Sequence, residues 1–419
     1  MTYLYIDFDG VLIDSAAEAP SVFRETLGYF FEGSYSNSLF ESVNGLSIDR
    51  IAEILIKELE GAIKPSRVDT EKEDIAKFIE YRWKEHYKNL SISKQICKEI
   101  EFLSGAGIKL VLATSASEEL IVNSIKPIRR FFDRVIDSGL IKPSKKDSAF
   151  WRNEIIASDS NSKYLLIDDN SDVVQAASSA DFGVSLHKYG QSLFHSVANC
   201  LSSISEAPII AKLSHEIEFK SSSINLQSDQ LEKLDKDWDS YILANPDAFD
   251  GRMCFIDYIK PSSSGLTIIS GQELSYRYRF LEPPCFSIAI QCIIISSNKF
   301  LIGKRSTYNS DETLKYEFVP SGGVEDLSPK GVENIIYKEI FEETGIKREN
   351  ILKIQPFGWC IDFRHMVIDV MYEIMVVPLD LVNHSQEHVE LKWVSISDLI
   401  ANNGCFTLSS DAYLKLRLG

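Results

Sequence analysis

Residues 3–15, YLYIDFDGVLIDS, begin as an apolar strand pattern and stop abruptly in Asp7, Asp9 and Gly10. An apolar run that ends in acids and glycine reads as a strand feeding a loop at the edge of a sheet. The same pattern recurs at IKLVLATS (108–115) and KYLLIDDN (163–170), with helical periodicity between the runs. This alternation predicts an α/β fold, a doubly wound parallel sheet whose ligands sit at the carboxyl ends of its strands. The segment at about 16–98 contains long helical stretches, RIAEILIKELEGAI and DIAKFIEYRWKEHYKNL. That is more than one crossover needs, so a helical cap is expected there.

A parallel sheet of this kind brings Asp7, Asp9, Asp168, Asp169 and Asp172 to one edge. Carboxylates so close together call for a cation, and an oxygen-only ligand set suits Mg²⁺. Thr114 and Ser115 end the intervening strand and can donate to phosphate oxygens. Lys142, in IKPSKKDSAF (141–150), can neutralise a phosphoryl charge, and Lys145 and Lys146 compete for that role. Together, DFDGVLIDS, LATS, the lysine of IKPS and IDDNSD resemble the four motifs of the haloacid dehalogenase superfamily of phosphatases. The resemblance spans roughly residues 1–200. It implies Asp7 as the nucleophile that forms an aspartyl phosphate and Asp9 as the acid and base. It also implies Mg²⁺ held by Asp168, the carboxylate of Asp7 and the backbone of Asp9, with Asp172 supporting, and phosphate bound by Thr114 and Lys142.

Beyond this domain (1–205), serine-rich sequence such as SSISEAP and SSSINLQSDQ suggests a linker over 206–232. A second, mixed α+β domain is expected at 233–419, with strands FSIAIQCIIIS, KFLIGKRS and HMVIDVMYEIMVVPL and a strong helix at about 331–344. On that helix Glu339, Glu342 and Glu343 are three and four residues apart, so their Cβ atoms are about 5–6 Å apart on one face, within reach of a divalent cation. The preceding PSGGVED is a glycine-rich turn whose N–H groups can lie beside a diphosphate. GGVEDLSPKGVENIIYKEIFEETGI (322–346) resembles the Nudix box of hydrolases that act on nucleoside diphosphates linked to another moiety. The likeness rests on Gly322, Gly323, Glu325, Lys338, Glu339, Ile340, Glu342, Glu343, Gly345 and Ile346. It implies that Glu339, Glu342 and Glu343 hold Mg²⁺, or Mn²⁺, with Glu342 and Glu343 catalytic and Gly322 and Gly323 at the substrate. Lys338 replaces the family's usual Arg, the loop-to-helix spacing is two residues longer, and Ser328 stands near an expected Glu. Glu387 and Glu390 are candidates for a further base or metal contact. Upstream, Trp238, Asn245, Pro246, Phe249, Asp250, Gly251, Tyr276 and Arg277 resemble the amino-terminal part of UDP-glucose pyrophosphatase-type Nudix proteins, which tilts the expected substrate towards a nucleotide sugar.

With 44 Lys and Arg against 61 Asp and Glu in 419 residues, the net charge is −17, which repels phosphate backbones and argues against extended nucleic acid as a partner. Seven dispersed cysteines without a C-x-x-C pair read as reduced thiols. No basic start precedes an apolar stretch and no run is long enough to span a bilayer, so a cytoplasmic protein without a membrane partner is expected. The combined expectation is a bifunctional hydrolase of small phosphate esters and nucleoside diphosphate derivatives. In it, Nudix cleavage is followed by dephosphorylation of one product. The rivals are two housecleaning enzymes on unrelated substrates, and a phosphatase regulated by a ligand-binding Nudix module.

Overall fold

The amino-terminal apolar run becomes β1 (Thr2–Ile6), the middle of a five-stranded sheet. Its companions are β2 (Lys109–Ala113), β3 (Phe132–Ile136), β4 (Lys163–Asp168) and β5 (Gly183–Leu186). The strands are all parallel and run in the order β3-β2-β1-β4-β5. Ile6 pairs with Leu112 on one side and with Ile167 on the other. That register carries Asp7, Thr114 and Asp168 to the same end of the sheet. Near-continuous burial along β2 and β4 is what a parallel sheet covered on both faces requires. Tyr5, Trp151 and Phe182 pack edge to face beneath one face.

This computed structural model describes the chain except for residues 16–18, 34–38, 40–42, 44–47, 60–61, 65–66, 68–69, 89, 138–139, 142–143, 158–161, 205–208, 224–227, 246–249, 262–265, 282–283, 307–311, 380–386, 402–404 and 419. It divides into two units, Met1–Ser205 and Glu206–Gly419. In the first, α1 (Ala19–Phe30), α2 (Ile48–Leu59) and α3 (Lys72–Tyr87) form the cap around a core of their own that includes Phe30, Phe31, Ala52, Leu55 and Ile75. The next helix, α4 (Lys94–Gly105), starts at a Ser93 cap whose Oγ accepts from Ile96 N at 3.1 Å, and it packs on the sheet. α5 (Glu118–Ile125), α6 (Ser148–Ile156), α7 (Ser171–Ser178) and α8 (Leu193–Ser203) complete the layers.

The second unit holds an eleven-stranded mixed sheet. Its strands are β6 (Ile209–Leu213), β7 (Glu216–Ser221), β8 (Arg252–Pro261), β9 (Leu266–Ser275), β10 (Ser287–Ser296), β11 (Lys299–Arg305), β12 (Tyr316–Phe318), β13 (Ser321–Gly323), β14 (Ile351–Asp362), β15 (Val367–Val376) and β16 (His388–Ser395). β10, almost wholly buried, runs parallel to β15 and antiparallel to β8, β11 and β13. Its helices are α9 (Ser228–Ala244), α10 (Pro329–Thr344), α11 (Ile396–Ala401) and α12 (Leu408–Leu418). Residues 206–232 are therefore not a linker throughout. β6 pairs with β14, Ile210 opposite Ile361, and β7 pairs with β9, Phe219 opposite Ile269. Both strands end the sheet's main path. Edge strands tolerate polar side chains because the backbone, not the side chain, makes the ladder. No helix of the described residues is long and apolar enough to cross a membrane, and the cysteines are free.

Candidate active site

At the end of β1 the chain turns sharply. Gly10 N donates to Ile13 O at 2.9 Å, and Gly10 has φ +73°. A Cβ at Gly10 would lie 2.0 Å from Asp169 Oδ2, so both the backbone and the neighbouring acid demand glycine here. The turn leaves Asp7 buried and Asp9 half-buried. Asp168, at the end of β4, is fully buried. Oxygen atoms of Asp7, Asp168 and Asp169 lie within 4.8 Å of one another.

Lys145 sits among them. Its ammonium donates to Asp7 Oδ1 at 2.8 Å, to Asp168 Oδ2 at 3.0 Å and to the Ala113 carbonyl at 3.1 Å, and its side chain is only 6% exposed. Its own backbone is fixed by Trp151, whose indole N–H donates to Lys145 O at 2.7 Å. Burial works against the ammonium, but Asp168 and Asp7 outweigh it and hold Lys145 in its charged form. Burial pushes Asp7 towards protonation and Lys145 opposes that push. Three carboxylates facing one ammonium leave a formal charge of −2 on oxygen ligands, the demand that a divalent cation meets; the residues fit Mg²⁺. Asp9 points elsewhere, accepting from Tyr87 Oη at 2.8 Å and from Ser15, with its carboxyl raised by burial.

Several expectations change here. Lys142 lies outside the described residues, and Lys145 is the lysine that reaches the acids. Asp172 does not join the acidic cluster. The Asn170 side chain caps α7 by accepting from Asp172 N and Val173 N, which places Asp172 in the first helical turn, two-thirds exposed and 3.3 Å from Lys146 Nζ. Asp169 takes the third place in the cluster. The carboxylate of Asp9 is not among the three. Thr114 is buried and its Oγ1 accepts from Ala116 N, whereas Ser115 lines a cavity of about 220 Å³ that opens over Asp7, Asp9 and Lys145.

The second constellation is built on α10. Ser328, near the place expected for a glutamate, caps the helix by accepting from Gly331 N at 3.0 Å, and the helix ends at Gly345 with φ 70°. Gly322 lies so close to Glu339 that a Cβ would come within 2.6 Å of its carboxyl carbon. Glu339 faces an open cleft of about 530 Å³ with Gly323, Glu325, Asp250, Gly251 and Tyr276. Pro246 and Phe249 lie outside the described residues. Glu342 is exposed, and Glu343 is buried.

Glu343 accepts from Ser321 N at 3.3 Å and lies 3.6 Å from His388 Nδ1, while His388 Nε2 meets Glu317 at 2.8 Å and Arg305 pairs with Glu317. His388 and Glu317 come from separate strands and carry no motif that would have marked them. Burial, then Glu387, Glu317 and Glu339, push Glu343 up to about 9. Burial also lifts Glu339 to about 7, against Lys338 and with Glu342 and Glu387. Glu343 Oε2 is buried with no hydrogen-bond donor among the described residues, a position that a cation suits. Lys338 lies 3.9 Å from Glu325 and 3.8 Å from Glu339, half exposed.

The family model described as haloacid dehalogenase-like hydrolase matches residues 4–185. The amino-terminal unit is a haloacid dehalogenase-like hydrolase domain. Solved structures similar to the chain include a putative beta-phosphoglucomutase from Thermotoga maritima, at 19% identity over 55% of this chain and 91% of that one, with a TM-score of 0.33. CbbY from Rhodobacter sphaeroides in complex with phosphate is 16% identical over 44% of this chain and 84% of its own, TM-score 0.37. MutT protein from Methanosarcina mazei Go1 is 24% identical over 31% of this chain and 92% of its own, TM-score 0.23. Comparison with curated proteins finds no match. In the haloacid dehalogenase-like domain, the cavity, the acid cluster and Lys145 thus share one end of the parallel sheet.

Proposed function

We propose that the haloacid dehalogenase-like domain is a Mg²⁺-dependent phosphomonoester hydrolase, and that the second unit cleaves nucleoside diphosphate derivatives in the manner of a Nudix hydrolase. The reading of the first site is carried by Lys145 seated between Asp7 and Asp168, with Asp169 beside them. An oxygen of the Asp7 carboxylate attacks phosphorus, the bond to the substrate's alcohol breaks, and Asp9 protonates the departing oxygen. Burial, which lifts the Asp9 carboxyl, keeps that proton available. Asp9 then takes a proton from water, the water oxygen attacks phosphorus, and the bond to Asp7 breaks to release phosphate. Lys145 holds Asp7 in place and faces the phosphoryl charge. Asp7, Asp168 and Asp169 would hold Mg²⁺, whose positive charge would let phosphoryl oxygens approach these acids.

In the second unit, Glu339, Glu342 and Glu343 would hold Mg²⁺ or Mn²⁺, with Gly322 and Gly323 beside the diphosphate. Support comes from the orphaned Oε2 of Glu343 and from the mutual repulsion of Glu339, Glu343 and Glu387. A nucleotide sugar is the substrate towards which the upstream resemblance points. Diphosphate cleavage yields phosphomonoesters, so the second unit would act before the first.

Phosphate release from monoesters tests the first site. The intact protein should require Mg²⁺, and Asp7→Asn should abolish release while leaving diphosphate cleavage in place. Near-normal release by Asp7→Asn would remove Asp7 from its role. For the coupling, the intact protein given a cleavable diphosphate should release phosphate after a lag, and Asp7→Asn protein should accumulate a monoester. Ligand affinity without diphosphate turnover would make the second unit a binding module instead.

A further inference from the structure

The cavity over Asp7 has two unlike halves. One half is the acid cluster with Lys145. The other is contributed by the cap, where Val22, Phe23, Val43, Ile51, Ile79 and Trp83 line the wall. Lys145 is the only cation among the described lining residues, and its ammonium already has three acceptors. The hydroxyl protons of Thr26 and Tyr87 on the cap side are also committed. Thr26 Oγ1 donates to Val22 O at 2.8 Å, and Tyr87 Oη donates to Asp9 at 2.8 Å. A substrate whose alcohol carried hydroxyls, a carboxylate or a second phosphate would lose its water against the apolar side chains described here and meet, among the described cap hydroxyls, only the oxygens of Thr26 and Tyr87, a penalty that discriminates against it.

We propose that the alcohol of the phosphomonoester is apolar, an alkyl or aryl group that buries against the cap wall. This rests on reading the first site as a phosphomonoester hydrolase, and it makes free sugar phosphates and other polyol phosphates poor substrates. A nucleotide sugar cut by the second unit would give two hydroxyl-rich monoesters, so sequential action of the two units would require a diphosphate derivative that carries an apolar group in place of the sugar.

A series of primary alkyl phosphates separates recognition from chemistry, because ethyl, butyl and hexyl phosphate have leaving groups of nearly equal basicity. With the intact protein and Mg²⁺, kcat/KM should rise roughly three- to fourfold for each methylene that is buried. Hexyl phosphate should exceed glycerol 3-phosphate and glucose 6-phosphate by about a hundredfold or more. Ile51→Lys should lower kcat/KM for hexyl phosphate by roughly tenfold more than for ethyl phosphate, since it places an ammonium in the wall. A flat series, a preference for the polyol phosphates, or an unchanged slope in Ile51→Lys would overturn the proposal. If no monoester is hydrolysed, the hydrolase reading fails, and calorimetric affinities of the same protein for hexyl phosphate and glucose 6-phosphate still decide the specificity. Tighter hexyl phosphate binding upholds the apolar wall, and equal or weaker binding removes it.

Discussion

At the ends of β1 and β4 the acids of the first site face an ammonium built into the fold, whereas Glu339 and Glu343 of α10 face mainly other acids, Glu387 and Glu317 among them. Lys145 is buried at hydrogen-bond distance from Asp7 and Asp168. Lys338 is half exposed and stands 3.8 Å from Glu339, a distance and exposure at which an ion pair contributes little. Without a buried cation at hydrogen-bond distance, burial and the neighbouring acids push Glu343 and Glu339 up to about 9 and about 7. The two sites thus solve one electrostatic problem differently: the first by a fixed lysine that leaves room for a metal, the second by protons that a metal must displace.

The largest effect expected from breaking this difference is in Lys145→Met. Removing one partner of a buried ion pair leaves Asp7 and Asp168 uncompensated, at a cost of about 3–5 kcal/mol. Phosphate release should fall to background, and urea titration should show the loss of stability, partly recovered by Mg²⁺ as the ion takes over the neutralising role. Unchanged stability would mean that Lys145 does not hold the acids together.

That lysine also marks the limit of what the sequence disclosed. The strands, their order of appearance and the acids at their ends are visible in YLYIDFDG and KYLLIDD, because a buried parallel strand must be apolar up to the point where it meets solvent. Choosing among Lys142, Lys145 and Lys146 is beyond local pattern. All three lie within five residues of sequence, and the one that reaches the acids is set by tertiary contacts, among them the bond from Trp151 to Lys145 O. Asp169 and Asp172 are similarly alike in sequence until the Asn170 cap directs Asp172 to solvent. On α10 the helix and its carboxylates follow from their spacing. His388 and Glu317, separated by 71 residues, meet only through the pairing of β11 with β12 and β16. β6 and β7 were concealed by their serine-rich surroundings.

Glu343→Gln tests the second half of the comparison. In metal-free protein Glu343 is protonated at neutral pH, so its amide isostere should cost little there. The sign with pH follows from the raised value: stability from Glu343 is fully present below its unfolded pKa of about 4.5 and is lost as pH rises through about 9. Wild-type protein in chelator should therefore lose melting temperature from pH 5 to 9 relative to Glu343→Gln, and metal should narrow the gap. Diphosphate cleavage should disappear in the variant. Parallel melting curves across that range would show that Glu343 ionises freely and is not buried among like charges.

A third solution, and the smallest expected effect, is found at Glu99, a buried carboxylate on α4 that, among the described residues, pairs with no lysine and joins no metal-ligating cluster. Gln95 Nε2 donates to its Oε1 at 2.9 Å and Leu193 N, at the start of α8, donates to its Oε2 at 2.7 Å. Burial raises its pKa, and the hydrogen bonds from Gln95, Leu193 and Ser192 restrain the rise. Glu99→Gln keeps one acceptor for Leu193 N but sets an amide N–H₂ against a neighbouring donor, so a loss of about 1–2 kcal/mol at pH 5 is expected from the mispaired contact. Because the folded pKa lies above the unfolded value, the wild-type advantage should shrink as pH climbs above that unfolded value, and denaturant midpoints of the two proteins should draw together as pH rises. A gap that widens with pH would mean that donors alone stabilise the ionised carboxylate, and that the raised carboxyls on α10 owe their rise to crowding by other acids and not to burial itself.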